Sequence, residues 1–182
     1  MYQFLSRISN RYFSKYSHRL FKWFFNISPM YRRSTGRIIS VTKDLGRIEI
    51  KIPLSYKNKN YVGTIFGGSL FSATDPIYMV QLIQLMGRDY VIWDKSSMVR
   101  FKRPANEDAY ASFEFTEEEV TQLKQQIAEE KEVNLVKLVE IKSKEGKLFC
   151  EIEKTIYVAD KKYYKEKRAK KSSSESTVKV EV

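Results

Sequence analysis

Between Asn60 and Met86 the chain reads Asn60-Tyr-Val-Gly63-Thr64-Ile-Phe66-Gly67-Gly68-Ser-Leu-Phe-Ser-Ala-Thr-Asp75-Pro76, then an almost wholly apolar run. A helix over Gly67 to Met86 would carry Leu70, Phe71, Ala73, Ile77, Tyr78, Met79, Val80, Leu82, Ile83, Leu85 and Met86 around its whole circumference. Such a helix has no solvent face, so the rest of the chain has to wrap it. At 1.5 Å per residue it spans about 30 Å. Its entrance turns on glycines, and it holds one acid, Asp75.

The flanking sequence supplies strands for that wrapping. Arg37 to Lys43 reads as one, and Arg47-Ile48-Glu49-Ile50-Lys51-Ile52 alternates charged and apolar residues after the turn Asp44-Leu45-Gly46, which predicts a hairpin. Gly87 suits the end of the helix. Tyr90 to Lys102 is a long strand candidate closed by Arg103-Pro104, and Ala109 to Phe115 alternates again. Thr116 and Glu119 have the spacing of a capping box, and Val120, Leu123 and Ile127 place one apolar edge on a helix from Glu117 to about Lys131. Val133 to Ser143 and Lys147 to Val158 form a last hairpin, with Leu148, Cys150, Ile152, Ile156 and Val158 as the buried face of its second strand. The fold class predicted is α+β: an antiparallel sheet curved around a central buried helix, with an N-terminal helix and a helical insertion.

At 182 residues one domain is expected. It is placed at 29–160, preceded by a basic aromatic helix at 1–28 and followed by a basic, Ser-rich tail at 161–182 expected to be disordered. Residues 1–43 carry nine Lys or Arg and no acid, and 161–171 carry seven bases and one acid. The ends therefore hold more than the whole net charge of +11, and the remainder is mildly acidic. That distribution argues against a nucleic-acid groove across the domain, and no specific nucleic acid is expected as partner. In the N-terminal stretch Phe13, Leu20 and Phe24 share a helical stripe, beside Tyr12, Tyr16 and Trp23. A helix docked on the domain or on a partner subunit accounts for the stripe; weak contact with a membrane surface is the open alternative. No apolar run reaches the roughly 18 to 20 residues of a membrane span, and the N-terminus lacks the apolar core of a secretory signal, so a cytoplasmic protein is expected.

Cys150 is the single cysteine and His18 the single histidine, so an internal disulfide, a thiolate zinc site and chemistry built on a core histidine have no residues to use. No cofactor and no metal are expected.

The order of elements, the pattern Asn60-x-x-Gly63-Thr64-x-Phe66-Gly67-Gly68 with an acid seven residues on, and Phe101-Lys102-Arg103-Pro104-Ala105 after the helix together resemble the hot-dog-fold acyl-CoA thioesterases of the phenylacetyl-CoA thioesterase type. Asp75-Pro76 and the segment Asp89-Tyr90-Val-Ile-Trp93-Asp94-Lys95 look closer to an uncharacterised bacterial branch of that fold, a domain of unknown function. The resemblance covers roughly Pro29 to Val158. Two departures stand out: Phe66 occupies the place of a histidine in that pattern, and Pro76 follows the acid.

Thioester hydrolysis needs donors for the developing oxyanion and a base or nucleophile near the carbonyl carbon. Gly67 and Gly68 at a helix N-terminus are the candidate donors and Asp75 the candidate base or nucleophile, its neutral form favoured if so apolar a helix desolvates it. Asp75-Pro76 is also a good N-cap and N1 pair, so a helix beginning at Asp75 is the competing reading. Seven residues of helix separate Gly68 from Asp75 by about 10 Å, too far for groups that must meet within about 3 Å. The glycines of one subunit would then face Asp75 of another, as the resemblance also implies, with a homodimer or homotetramer as the assembly. Asn60 would orient Asp75 or the attacking water, and Thr64, Phe66, Asp94, Ser96 and Ser97 would contact an acyl-CoA or acyl-carrier substrate. A non-catalytic hot-dog protein that binds an acyl or other apolar ligand is the alternative function.

Overall fold

The computed structural model describes residues 17–178. Its elements are α1 (Ser17–Ile27), α2 (Pro29–Arg33), β1 (Arg37–Val41), β2 (Arg47–Ile52), α3 (Gly67–Met86), β3 (Tyr90–Phe101), β4 (Ala109–Glu114), α4 (Glu117–Glu130), β5 (Glu132–Lys142), β6 (Leu148–Asp160) and α5 (Lys161–Val178). The six strands make one sheet in the order β1-β2-β4-β5-β6-β3, every pairing antiparallel. The sheet curls about α3, as the apolar circumference of that helix requires. Ile48, Ile50 and Ile52 of β2, Ala109, Ala111 and Phe113 of β4, and Cys150, Ile152, Ile156 and Val158 of β6 are buried against it. This is the hot-dog fold.

Two polar fastenings hold α3 in the sheet. Gln81, fully buried, donates from Nε2 to the carbonyls of Leu45 (2.8 Å) and Gly46 (3.0 Å), tying the helix to the β1–β2 turn. The Tyr31 hydroxyl donates to Ala73 O at 3.2 Å, joining α2 to the middle of the helix, and burial pushes that phenol well above its ordinary range. Gly87, at φ 92°, ends α3 with its N–H on Ile83 O. The predicted capping box is present: Glu119 N–H donates to Thr116 Oγ1 at 3.0 Å and Thr116 N–H to Glu119 Oε2 at 2.8 Å. Val120, Leu123 and Ile127 form the buried edge of α4.

The two ends differ from expectation. Helix α1 docks on the domain, but through Phe21 and Phe25 in place of the stripe containing Leu20 and Phe24. The reason is Asn26, whose amide donates to Ile38 O (2.9 Å) and accepts from Ile38 N–H (2.8 Å), which fixes the rotation of the helix against β1. Phe13 of that stripe, and Tyr12 and Tyr16 beside it, lie outside the described residues. The tail expected to be disordered from 161 instead enters helix α5, through Val178. Asp160 Oδ1 accepts from the N–H groups of Lys162 and Tyr163, which caps the helix start, and Tyr164 packs against Trp93 and Tyr157. Two tyrosines in a basic run supplied enough apolar surface for that docking.

Candidate active site

Helix α3 begins at Gly67, with Phe66 as N-cap, and runs through Pro76 to Met86. Asp75 is thus mid-helix, and the reading of Asp75 as a cap is not met. Pro76 has no N–H for Ser72 O, while the Thr74 hydroxyl donates back to Phe71 O at 2.8 Å. Asp75 is less desolvated than the helix composition suggested: its side chain is 45% exposed, on the side of α3 that faces β3 and β6.

What meets Asp75 there is a lysine. Lys154 of β6 is fully buried, and its Nζ lies 3.0 Å from Asp75 Oδ1 and 2.9 Å from Asp94 Oδ2, while also donating to the Asp75 backbone carbonyl. A fully buried ammonium costs several kcal/mol unless paired, and here two carboxylates and a carbonyl take all three of its protons. Asp94 comes from β3, paired with Ile156, one residue before a bulge at Lys95. Burial pushes the Asp94 carboxyl above the usual carboxylate range; Lys154 opposes that shift and Asp75 adds to it. Asp94 Oδ1 is buried and has no hydrogen-bond partner. It is the buried carboxylate oxygen of the cluster that stays unpartnered, while the half-exposed Asp75 carboxylate, bound to Lys154 through Oδ1, keeps its other oxygen open to a water or a ligand.

Lys154 was missed in the sequence reading, and the signal was there. The apolar positions expected on the inner face of β6 alternate as 148, 150, 152, 156 and 158, and the gap at 154 is filled by a lysine on that face; in the structure Leu148 is only partly buried, and Phe149, Tyr157 and Ala159 are buried as well.

The structure brings Asp94 to Asp75 through Lys154, and Ser97 stands opposite Lys154 in the β3–β6 register, on the same face. Ser96 is displaced by the bulge: it pairs with Thr155 and sits on the face away from α3. Asn60 does not reach Asp75 within the chain. Its Oδ1 accepts from the N–H groups of Val62 (3.1 Å) and Thr64 (3.0 Å), and its Nδ2 donates to Thr64 Oγ1 (3.0 Å), so the amide shapes the loop before α3 and takes Thr64 with it. That loop is fixed at its far end by Ile65 N–H on Ala105 O, which gives the Phe101–Ala105 segment a structural task.

The first turn of α3 gives Gly67 and Gly68 no intrahelical acceptor for their N–H groups. Two exposed rings flank them. A Cβ on Gly67 would lie 2.7 Å from the Phe101 ring, and one on Gly68 would lie 2.3 Å from the Phe66 ring. The helix N-terminus is therefore an apolar-walled donor site in the chain as it stands. Among the described residues no three His, Cys, Asp or Glu side chains converge to hold a metal ion. A groove of about 490 Å³ lies on the other face of the sheet, lined by Glu49, Tyr110, Leu138 and Glu140 among others, and includes none of the candidate site residues.

The fold defines a hot-dog protein. The chain belongs to the family described as Domain of unknown function (DUF4442), whose model matches residues 17–158. Solved structures share the fold at low identity. A Pseudomonas aeruginosa protein of unknown function, named "Probable Thioesterase", is 18% identical, with a TM-score of 0.69 over 78% of this chain and 95% of that one. A protein of unknown function from Chlorobaculum tepidum is 18% identical, with a TM-score of 0.61 over 78% and 93%. A Haemophilus influenzae thioesterase is 14% identical, with a TM-score of 0.54 over 74% and 85%. No curated protein matches the chain significantly.

Proposed function

We propose that the protein hydrolyses acyl thioesters, of coenzyme A or of an acyl carrier, at a site shared by two copies of the chain. The observation that carries this reading is Asp75, held mid-helix by a buried lysine whose other partner is a second aspartate. The cluster of Asp75, Lys154 and Asp94 carries one negative charge in excess when all three are ionised. It can accept a proton while Lys154 stays charged. A water beside Asp75 would lose that proton as its oxygen bonds to the thioester carbonyl carbon, and the oxyanion would be met by the N–H groups of Gly67 and Gly68 of the partner copy. Collapse breaks the carbon–sulfur bond, and the proton passes to the leaving thiolate, giving a carboxylic acid and a thiol. Asp94 keeps Lys154 from being matched by Asp75 alone.

The two edges of the sheet support a second copy. At β1 the edge is covered, since Asn26 takes both backbone groups of Ile38 and Lys22 Nζ donates to Ile39 O at 2.6 Å. At the other edge β3 runs for 12 residues with no strand of the described residues on its outer side. A bare edge of that length is a template for pairing, and β3 carries Asp94.

The exposed rings of Phe66 (58%) and Phe101 favour a second reading, in which the same cleft binds an acyl chain without cleaving it. A panel of acyl-CoA esters assayed by thiol release separates the two. Hydrolysis predicts at least one ester cleaved about 100-fold or more faster by the wild type than by Asp75→Asn; equal rates on every ester would leave only the binding reading.

A further inference from the structure

Helix α1 has more apolar surface than the domain uses. At about 100° per residue, Phe21 and Phe25 fall on one arc and Trp23, Phe24 and Ile27 on the next. The first arc packs on the core. The second is exposed, with Trp23 at 56%, and Met30 of α2 continues it. The same chemistry recurs on the loop before α3, where Tyr61 is 100% exposed and Val62 is also exposed. That loop is tied to the end of α2 by Asn58 Nδ2 on Thr35 Oγ1 at 2.8 Å.

The charges of these two segments are one-sided. Residues 1–43 contain no acid, nor do residues 51–74, while Arg32, Arg33, Lys57 and Lys59 are exposed within them. Asp108 meets these segments at Lys51 and the Leu54 N–H, away from the exposed apolar residues, so a second copy would still bring a predominantly basic surface against itself, which repulsion disfavours. A nucleic acid would use the bases but has no need of exposed Trp, Phe, Ile and Val. An anionic lipid surface uses both, with the rings and aliphatic chains entering the headgroup region and the bases meeting lipid phosphates.

We propose that the protein docks on anionic membrane surfaces through the outer face of α1 and α2 and the loop carrying Tyr61 and Val62. The loop leads directly into Phe66 and Gly67, so the docked face borders the helix N-terminus described above. This inference does not depend on hydrolysis and survives its failure.

Flotation of the full chain with vesicles of equal parts phosphatidylglycerol and phosphatidylcholine tests it, against vesicles of phosphatidylcholine alone. Binding is expected to the anionic vesicles and to weaken with added salt. The double variants W23S/I27S and Y61S/V62S, whose changed side chains are exposed, should each lower the partition by about tenfold or more with unchanged circular dichroism. K162Q/K165Q in α5 should leave most of the binding in place. No binding to anionic vesicles, or binding that both apolar variants retain, would overturn the proposal. So would binding lost only in the α5 variant, or the same pattern of losses seen with duplex DNA and not with vesicles.

Discussion

Lys137 and Lys154 are cross-strand neighbours on the concave face of the sheet, and the chain treats them differently. Lys137 keeps 15% of its side chain exposed, lies over the Phe115 ring at 4.7 Å and the Tyr78 ring at 5.6 Å, and reaches one carboxylate, Glu119, at 3.0 Å. That carboxylate is itself 46% exposed and belongs to the α4 capping box. Lys154 has no exposure and two acids. Lys137 thus resembles many lysines whose stem packs and whose head finds water. Lys154 has no route to water, so its charge is stabilised only by groups the fold brings to it. Both aspartates and the Asp75 carbonyl are needed to match its three donors, and the pair of aspartates leaves the cluster one carboxylate in excess of its ammonium, a charge balance that fits proton chemistry.

The sharpest way to break this contrast is to remove each ammonium. Lys154→Met should cost about 3–5 kcal/mol in urea unfolding, because Asp94 is left buried without a counter-charge. Lys137→Met should cost about 1 kcal/mol or less, since Glu119 can turn to solvent. Equal costs would erase the distinction.

A smaller effect is expected at Asp94. Its folded-state affinity for a proton is raised by burial, so its contribution to stability is full below its unfolded pKa and is lost as pH rises through the raised folded value. Asp94→Asn abolishes that loss. The stability of the variant relative to the wild type should therefore climb as pH rises from below 3.8 toward neutrality, which urea unfolding at several pH values would follow. A flat difference would mean that Asp94 is not desolvated in solution.

The smallest effect belongs to the exposed pair that helps fasten α5. Hydrogen bonding from Lys167, then from Tyr157, holds Glu132 below the usual carboxylate range. Its contribution is present above its unfolded pKa and lost as pH falls through the lowered folded value. Trp93, stacked on Tyr157 and touching Tyr164, should report loosening of α5 in acid by a fluorescence change that Glu132→Gln shows already at neutral pH. The associated stability is about 1 kcal/mol or less, as for other exposed pairs.

Much of the fold could be read from periodicity. The apolar circumference of α3, the alternation of β2 and β4, and the Thr116–Glu119 box each follow from local spacing, and each appears within a residue or two of where spacing puts it. The site was harder, for a physical reason. Asp75 is visible because a lone acid interrupts an apolar run, but its partners come from two other strands. Lys154 is 79 residues away and joins Asp75 only through strand order. A one-residue bulge at Lys95 decides that Asp94 and Ser97 face the helix while Ser96 does not, and no spacing rule marks it. Asn60 shows a different limit. Its place in a motif suggested work on Asp75, and within one chain its amide serves its own loop, as an asparagine beside a glycine turn does; its relation to the Asp75 of another copy is not written in one chain's spacing.

If Asp75, held by Lys154, works with the helix N-terminus of another copy, subunit mixing shows it most directly. Gly67→Pro removes one N–H donor at a helix position whose backbone accepts proline, with the exposed Phe101 ring, 2.7 Å from a Cβ there, turning aside to admit it. Phe66, at φ −58° and ψ 130°, already has the backbone that a residue before proline adopts. Asp75→Asn chains and Gly67→Pro chains should each be inactive toward the best ester. Refolded together in equal amounts they should recover about a quarter of wild-type activity, because half of the dimers are hybrids with one intact site of two. Activity in the mixture no greater than in the separate variants would contradict the shared site.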